Sequence, residues 1–216
     1  MLFSRTRTQL VTPERALRGR DHYDFTVPDT HYVNGHPIKP PFPEGYEQAV
    51  FGLGCFWGAE EIFWKHPGVW TTAVGYTGGS TPHPSYEEVC SGKTGHTEAV
   101  LVVYDPEQAT YESLVAAFFE VHDPTQGMRQ GNDTGTQYRS GIYSTSERQR
   151  EVALRAAQVF GDTLGGLGHG AVTTEIAPLG VFYYAEGYHQ QYLAKNPHGY
   201  RCHSTSGVTF PMDALN

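Results

Sequence analysis

The chain has 216 residues, with 15 Lys and Arg against 23 Asp and Glu, which gives a formal net charge of −8 at pH 7. This acidic balance argues against a nucleic-acid partner or an anionic membrane surface, and no apolar run is long enough for a bilayer span or a signal-peptide core. Three cysteines are too few for a structural disulfide framework. We therefore expect a monomeric globular protein of the cytoplasm with one sizeable core.

Residues 1–46 are rich in proline, arginine and histidine, which predicts an extension packed on the domain, with a short helix near Glu14–Arg18. The domain itself is predicted to span 47–198, followed by a mobile coil tail at 199–216. Periodicity and capping residues predict its elements in chain order: a strand at 47–53, a helix at 55–65, a strand at 69–76, a helix at 85–90, a strand at 97–103, a helix capped by Thr110, a strand at 138–143, a helix at 147–160 ended by Gly161, a hairpin of 173–177 with 181–183, and a helix at 186–194.

This order of elements predicts an α+β fold, a two-layer α/β sandwich with a ferredoxin-like mixed sheet at its core. The third predicted strand is apolar on both faces, with Val100 and Val102 on one side and Leu101 and Val103 on the other. A strand of this kind is expected in the centre of the sheet, covered on both sides.

Cys55 lies where the first predicted strand gives way to a helix. The unpaired N–H groups and partial positive charge of a helix N-terminus favour thiolate, the reactive form of cysteine. Gly54 and Gly58 leave room for a reactant to approach the sulfur. Cys55 is therefore a candidate nucleophile, although a cysteine at a strand end is also common as an inert, small core residue.

The neighbours of Cys55 allow two interpretations each. Phe56 and Phe63 have ordinary core spacing, but Phe56 and Trp57 could instead form the wall of a small apolar pocket beside the sulfur. Glu98 begins the third strand on an apolar face. A buried Glu98 would have a raised pKa and act as a general acid near neutral pH, whereas an outward-turned one would be a solvated strand end.

Several ordered motifs resemble the peptide methionine sulfoxide reductases of the A type, over about residues 45–200. The most specific is Gly-Cys-Phe-Trp-Gly. The matching segments are 54–58, 75–79, 86–100, 122–126, 131–140 and 189–193.

The resemblance implies a role for each catalytic candidate. Cys55 would attack the sulfoxide sulfur, and Glu98 would protonate the sulfoxide oxygen, which is otherwise a poor leaving group. Tyr86 and Tyr138 would donate hydrogen bonds to that oxygen, and Asp133 would organise the polar groups and water around it. Without the resemblance, both tyrosines would be assigned to packing and Asp133 to a turn.

The resemblance further implies that Phe56 and Trp57 cage the substrate S-methyl group, and that the substrate is the S epimer of methionine sulfoxide, free or in proteins. Cys202 matches the resolving thiol, which would condense with a sulfenic acid on Cys55 to give a disulfide. Residues 203–216 hold no second recycling cysteine. Thioredoxin or a similar dithiol protein is therefore the expected reductant, with a low-molecular-weight thiol as the alternative and no bound cofactor.

Three other classes were weighed against this one. Eleven histidines invite a zinc site, but Cys90 with His96 and Cys202 with His203 lack the usual ligand spacing. A thiol peroxidase would share the sulfenic step but would need no methyl pocket. A module that only binds methionine sulfoxide would need no nucleophile. Cys90 is assigned to packing.

Overall fold

The computed structural model describes residues 6–202 and 204–215. Its strands are β1 (Glu47–Leu53), β2 (Val69–Thr77), β3 (Thr97–Tyr104), β4 (Arg129–Gln130), β5 (Asp133–Thr134), β6 (Ser140–Ser144), β7 (Glu175–Pro178) and β8 (Tyr183–Tyr184). Its helices are α1 (Phe56–Trp64), α2 (Tyr86–Cys90), α3 (Tyr111–Glu120), α4 (Glu147–Gly166) and α5 (Tyr192–Lys195).

Six strands form one mixed sheet in the order β7-β6-β1-β3-β2-β8. β3 pairs antiparallel with β1 and β2, β1 pairs antiparallel with β6, and β6 pairs parallel with β7. Every residue of β3 is buried. The predicted α+β class, the mixed sheet and the central position of β3 are confirmed.

The two faces of the sheet have different covers. Helical side chains cover one face, where Phe51 of β1 stacks on Phe63 of α1 and Phe118 of α3, with ring centroids 5.1 and 5.4 Å apart. The other face is covered by the N-terminal extension, whose Val27 and Ile38 are buried in one cluster with sheet residues such as Leu101. Within residues 6–46 the helical segments are short 3-10 turns, of which one spans Pro13–Arg15, where a short helix was predicted.

The predicted hairpin at 173–183 is wrong. β7 pairs with β6 at one edge of the sheet, whereas β8 pairs with β2 at the opposite edge. Both segments are short, and each forms its backbone hydrogen bonds with a neighbouring strand of the sheet rather than with the other segment. Their closeness in sequence therefore misled the prediction.

Three predicted boundaries also differ. α4 continues past Gly161 to Gly166, since Leu164 is buried, and the left-handed Gly168 follows its end (φ 83°). The predicted strand at 138–143 begins at Ser140, after a 3-10 turn. The helix predicted at 186–194 is mostly irregular, because Gln191 adopts a left-handed conformation (φ 47°), and only α5 is helical.

The tail beyond Cys202 packs against the helices. Phe210 is 3% exposed, stacks near Phe119 and Phe160, and donates its N–H to the Glu120 carboxylate at 2.7 Å. Its predicted mobility stays a prediction. Among the described residues, no helix has the length and apolar character needed to cross a membrane.

Candidate active site

Gly54 and Cys55 form the sharp junction between β1 and α1. Gly54 has φ 94°, and a Cβ there would lie 2.8 Å from the Gln130 side chain, so two separate constraints favour glycine. Cys55 is the residue that precedes the first helical turn, and it is 8% exposed. The junction therefore aims the sulfur away from both elements at a cavity beside the sheet.

Glu98 lies next to this junction, on the adjacent strand end. It is 1% exposed, and its Oε2 accepts the Phe56 N–H at 3.0 Å. Burial raises the pKa of Glu98 to about 8, assisted by the nearby Asp133 charge and opposed by the Phe56 N–H. The carboxyl is thus mainly protonated at neutral pH and can donate a proton.

The surroundings of Cys55 oppose the thiolate that a helix N-terminus favours. Burial raises the pKa of the Cys55 thiol well above its usual range, and the negative charge of Glu98 raises it further. The Trp57 N–H acts in the opposite direction, but the Phe56 N–H is taken by Glu98. Of the N–H groups at the helix N-terminus, that of Phe56 thus stabilises the Glu98 carboxylate and that of Trp57 acts on the Cys55 sulfur. The charge on Glu98 in turn affects the pKa of Cys55.

The predicted site residues surround one cavity of about 120 Å³. Seven of the eight predicted residues line it, and Tyr200 completes the wall. The lining residues are Cys55, Phe56, Trp57, Tyr86, Glu98, Asp133, Tyr138 and Tyr200.

The polar side of the cavity carries two phenols and a second carboxyl. Burial, with the Glu98 charge next, raises the pKa of both Tyr86 and Tyr138, so both keep their O–H donors. Burial also raises the pKa of Asp133, while Oδ2 of Asp133 accepts a hydrogen bond from the Tyr200 hydroxyl at 3.0 Å. The arrangement can hold a small oxygen acceptor above the sulfur.

The apolar side is formed by two rings held from behind. Phe56 is 1% exposed, and its ring centroid lies 5.0 Å from that of His189. Trp57 stacks on Tyr192, with centroids 3.9 Å apart, and its indole Nε1–H donates to His189 Nδ1 at 2.9 Å. Both rings are thus fixed by contacts outside the cavity.

His189 was not singled out by residue type, although it lies in the matching segment 189–193. Burial lowers its pKa to about 3, so the ring is neutral, and acceptance at Nδ1 places the proton on Nε2. Nε2 has no hydrogen-bond partner among the described residues and lies 3.9 Å from Glu186. Glu186, which also accepts the Tyr86 N–H at 2.7 Å, carried no sequence signal.

The tail segment that contains Cys202 reaches the cavity through Tyr200, whereas Cys202 itself is not among the lining residues. Tyr200 was missed, although it lies only two residues from Cys202. The Cys202 thiol is half-buried, contacts the Gln130 carbonyl oxygen at 3.5 Å, and is close enough to affect the Cys55 pKa. Sequence alone could not place this segment, because nothing local ties it to α1.

Cys90 is not among the residues that line the cavity. Burial raises the pKa of the Cys90 thiol to about 11, and a hydrogen bond with Tyr86 acts in the opposite direction. Across residues 6–202 and 204–215, no group of three or more His, Cys, Asp or Glu is placed to hold a metal ion.

Comparisons with known proteins identify the family of the chain. The family model described as peptide methionine sulfoxide reductase matches residues 47–211. The peptide methionine sulfoxide reductase MsrA of Azotobacter vinelandii is 62% identical over 94% of this chain and 93% of its own. MsrA 1 of Synechocystis is 60% identical over 95% and 92%.

Solved structures give the same result. Methionine sulfoxide reductase A of Corynebacterium diphtheriae superposes with a TM-score of 0.85 at 48% identity, over 93% of this chain and 97% of that one. Reduced Mxr1 of Saccharomyces cerevisiae gives 0.67 at 37% identity, over 74% and 91%. The chain therefore belongs to the peptide methionine sulfoxide reductase family, in its A type, and is a thiol-dependent oxidoreductase.

Proposed function

We propose that this protein reduces the S epimer of methionine sulfoxide, free or within proteins, and so repairs oxidised methionine. The observation that carries the proposal is the pairing of a buried thiol, Cys55, with a buried carboxyl, Glu98, in one small cavity. Reduction of a sulfoxide requires a nucleophile that attacks the sulfur and a proton donor to the oxygen.

In the proposed first step, the Cys55 sulfur attacks the sulfoxide sulfur while Glu98 protonates the oxygen. The sulfoxide S–O bond and the S–S bond formed in the attack then break as the oxygen moves to Cys55, so that methionine leaves, Cys55 becomes a sulfenic acid, and two electrons pass from the thiol to the sulfoxide. The pKa of Glu98, about 8, suits this role, because the carboxyl is protonated at neutral pH yet remains acidic enough to give up its proton.

The phenols of Tyr86 and Tyr138 would hold the oxygen. Their raised pKa supports a donor role at neutral pH, and Asp133 would orient Tyr200 or a water next to them. Donors that are fixed before the reaction stabilise the charge that develops on oxygen without reorganising.

Selection of one epimer would follow from three fixed directions at the sulfoxide sulfur. The rings of Phe56 and Trp57 would take the methyl group, Glu98 and the phenols would take the oxygen, and Cys55 would attack from a third side. The opposite epimer would exchange the oxygen and methyl positions. That exchange leaves buried donors unpaired, which discriminates more strongly than methyl contacts alone.

Regeneration would use Cys202. Its thiol would attack the Cys55 sulfenic acid, form the disulfide and release water. Thioredoxin, or a similar dithiol protein, would then reduce the disulfide. Three cysteines are too few for a structural disulfide framework, which fits a reducing compartment, and we place the reaction in the cytoplasm.

A single-turnover experiment tests the assignment. One equivalent of methionine S-sulfoxide is added to the reduced protein, methionine is quantified, and peptide mapping by mass spectrometry locates the disulfide. We expect one equivalent of methionine and a Cys55–Cys202 disulfide, with the R epimer leaving all thiols free.

Variants separate the two cysteine roles. Cys55→Ser should form no methionine, whereas Cys202→Ser should form about one equivalent and then stop with thioredoxin present, since sulfenic acid formation precedes resolution. Cys90→Ser serves as the matched control and should form the same disulfide as the wild type. Turnover by Cys55→Ser, or faster oxidation of Cys55 by peroxide than by the methyl sulfoxide, would overturn the proposal.

A further inference from the structure

Three consecutive tail residues each contact a residue of α1 or of the hairpin formed by β4 and β5. The Tyr200 hydroxyl donates to Asp133 at 3.0 Å, Arg201 pairs with Glu61 of α1, and the Cys202 thiol contacts the Gln130 carbonyl oxygen at 3.5 Å. The tail therefore bridges α1 and the hairpin of β4 and β5. Of these three contacts, only the one at Arg201 joins opposite charges.

The Arg201–Glu61 contact is a two-point ion pair. Arg201 Nε lies 2.7 Å from Glu61 Oε2, and Nη2 lies 3.1 Å from Oε1, a geometry in which the planar guanidinium matches the carboxylate. Nη1 also donates to the Pro197 carbonyl oxygen at 2.9 Å, which ties the guanidinium to its own turn. The Arg201 side chain is 29% exposed and that of Glu61 17%.

Both charges are stable over the working pH range. The Arg201 hydrogen bond, ahead of the contribution from Lys65, lowers the pKa of Glu61 to about 2, and the same pair raises the pKa of Arg201. Lys65 pairs with Glu61 at 3.0 Å from the other side and is 63% exposed. Glu61 thus stays ionised when the cavity groups titrate.

The pair connects the two cysteines through a short path. Glu61 lies on α1, the helix that begins directly after Cys55, and is about 9 Å further along its axis at 1.5 Å per residue. Arg201 directly precedes Cys202, so the Cα atom of Arg201 lies about 3.8 Å from that of Cys202. Fixing the guanidinium on α1 therefore restricts the volume that the Cys202 thiol can explore near the Cys55 sulfur.

We propose that Arg201 and Glu61 are positioning residues for the resolving step, which keep Cys202 close to Cys55 while the sulfenic acid is present. This inference rests on the proposed function. In the step itself, the Cys202 sulfur attacks the Cys55 sulfur, an S–S bond forms, and the S–O bond breaks. The hydroxide that leaves takes up the proton lost by Cys202 and becomes water, so no further reactant is needed. The ion pair takes no part in the bond changes.

The test measures two rates in one single-turnover experiment. Methionine formation reports the first step, and the lifetime of the sulfenic acid, trapped with a 1,3-dicarbonyl reagent and quantified by mass spectrometry, reports the second. Arg201→Met keeps an unbranched, flexible side chain about as long as the aliphatic part of arginine but removes the guanidinium and its charge. We expect methionine formation to be unchanged and disulfide formation to be slower by about two- to fivefold, the effect of losing one partly exposed ion pair.

Companion variants distinguish positioning from a general structural effect. Glu61→Gln should show the same slow disulfide step as Arg201→Met, the double variant should be no slower than either, and Arg201→Lys should restore part of the rate. Lys65→Met is the matched control, since it removes the other cation on Glu61 and should resolve at the wild-type rate.

Two results would overturn the inference while leaving the proposed function intact. One is disulfide formation by Arg201→Met at or above the wild-type rate. The other is an equal loss of methionine formation and disulfide formation, which would mean that the pair supports the cavity and not the resolving thiol. Absence of methionine formation in the wild type would instead refute the proposed function.

Discussion

The Glu98 carboxyl and the Cys55 thiol face the same small cavity, and burial raises the pKa of each. The protonation state of one group therefore affects the pKa of the other. A charged Glu98 raises the pKa of Cys55 and so opposes the thiolate, whereas a neutral Glu98 does not. The attacking and proton-donating forms coexist only when the proton lies on Glu98 and not on Cys55. This coupling gives the site a defined pH dependence.

For the wild type, we expect kcat/KM for methionine S-sulfoxide to rise with pH and to level off near pH 8. Below the Glu98 pKa of about 8, the acid stays protonated and each pH unit increases the small thiolate fraction. Above it, loss of the Glu98 proton offsets the gain in thiolate. A pH profile of the single-turnover rate checks this, and a continued rise through pH 9 would contradict it.

Glu98→Gln should slow the chemical step at pH 7 by roughly 10²–10⁴-fold, the usual contribution of a general acid. Because glutamine does not titrate, the break near pH 8 should also disappear. Glu107→Gln is a suitable control, since Glu107 is exposed and lies beyond the end of β3 opposite to Glu98. A small rate loss in Glu98→Gln would assign the proton to the phenols or water.

Among the elements, the irregular segment between β8 and α5 does the most to shape the apolar wall. Buried Glu60 accepts the Gln191 N–H at 2.8 Å and its side-chain amide at 2.7 Å, which holds the left-handed turn. That turn presents His189 to the Trp57 indole and Tyr192 to its face. A regular helix over 186–194 could not contain a left-handed residue at Gln191. The irregular backbone of this segment therefore allows His189 and Tyr192 to contact Trp57.

His189→Phe should lower kcat/KM roughly tenfold, because the partly buried indole N–H of Trp57 loses its acceptor, at a cost near the lower end of about 1–3 kcal/mol. His189→Asn places an oxygen near the former Nδ1 and should restore most of the activity, which a purely structural role would not predict. Steady-state kinetics on the free sulfoxide, with circular dichroism of both variants, would measure this. Equal activity of the phenylalanine variant and the wild type would exclude the role of the hydrogen bond.

Prediction of elements succeeded where the signal was local. Thr110 accepts the Ser113 N–H at 3.1 Å and opens α3, and β1 has the predicted bounds because its apolar run is bounded by Gly54. The prediction failed at Gly161, because burial of Leu164 extends α4. It also failed at 173–183, where one part of the segment pairs with β6 and the other with β2. These failures share a cause, namely contacts with residues distant in sequence.

At the scale of the whole molecule, the extension replaces a second helical layer. β3 has apolar side chains on both faces, and one of those faces is covered by residues from the extension, including Val27 and Ile38. Ile38 is fully buried, and its carbonyl oxygen accepts the Tyr184 hydroxyl at 3.0 Å. The division of the chain into an extension, a domain and a tail stays a prediction, but the core includes residues from all three.

Ile38→Ala should lower the free energy of unfolding by about 2–5 kcal/mol, as for other buried aliphatic side chains cut back to alanine. Val33→Ala is the matched control in the same segment. Val33 is 52% exposed, so its truncation should change stability by less than about 0.5 kcal/mol. Urea unfolding of both variants gives the comparison, and similar midpoints for Ile38→Ala and the wild type would show that the extension adds little to the core.

The sequence by itself determined the fold class and the central strand, because apolar periodicity is a local property of the chain, and its motifs, through their resemblance to a family, named all the cavity residues except Tyr200. Only the tertiary structure decided the state of those residues. The raised pKa of Glu98, the neutral His189 behind Trp57 and the Arg201–Glu61 pair beside Cys202 all depend on burial or on partners more than 40 residues away. Desolvation and long-range pairing are collective effects of packing, and no local pattern encodes them.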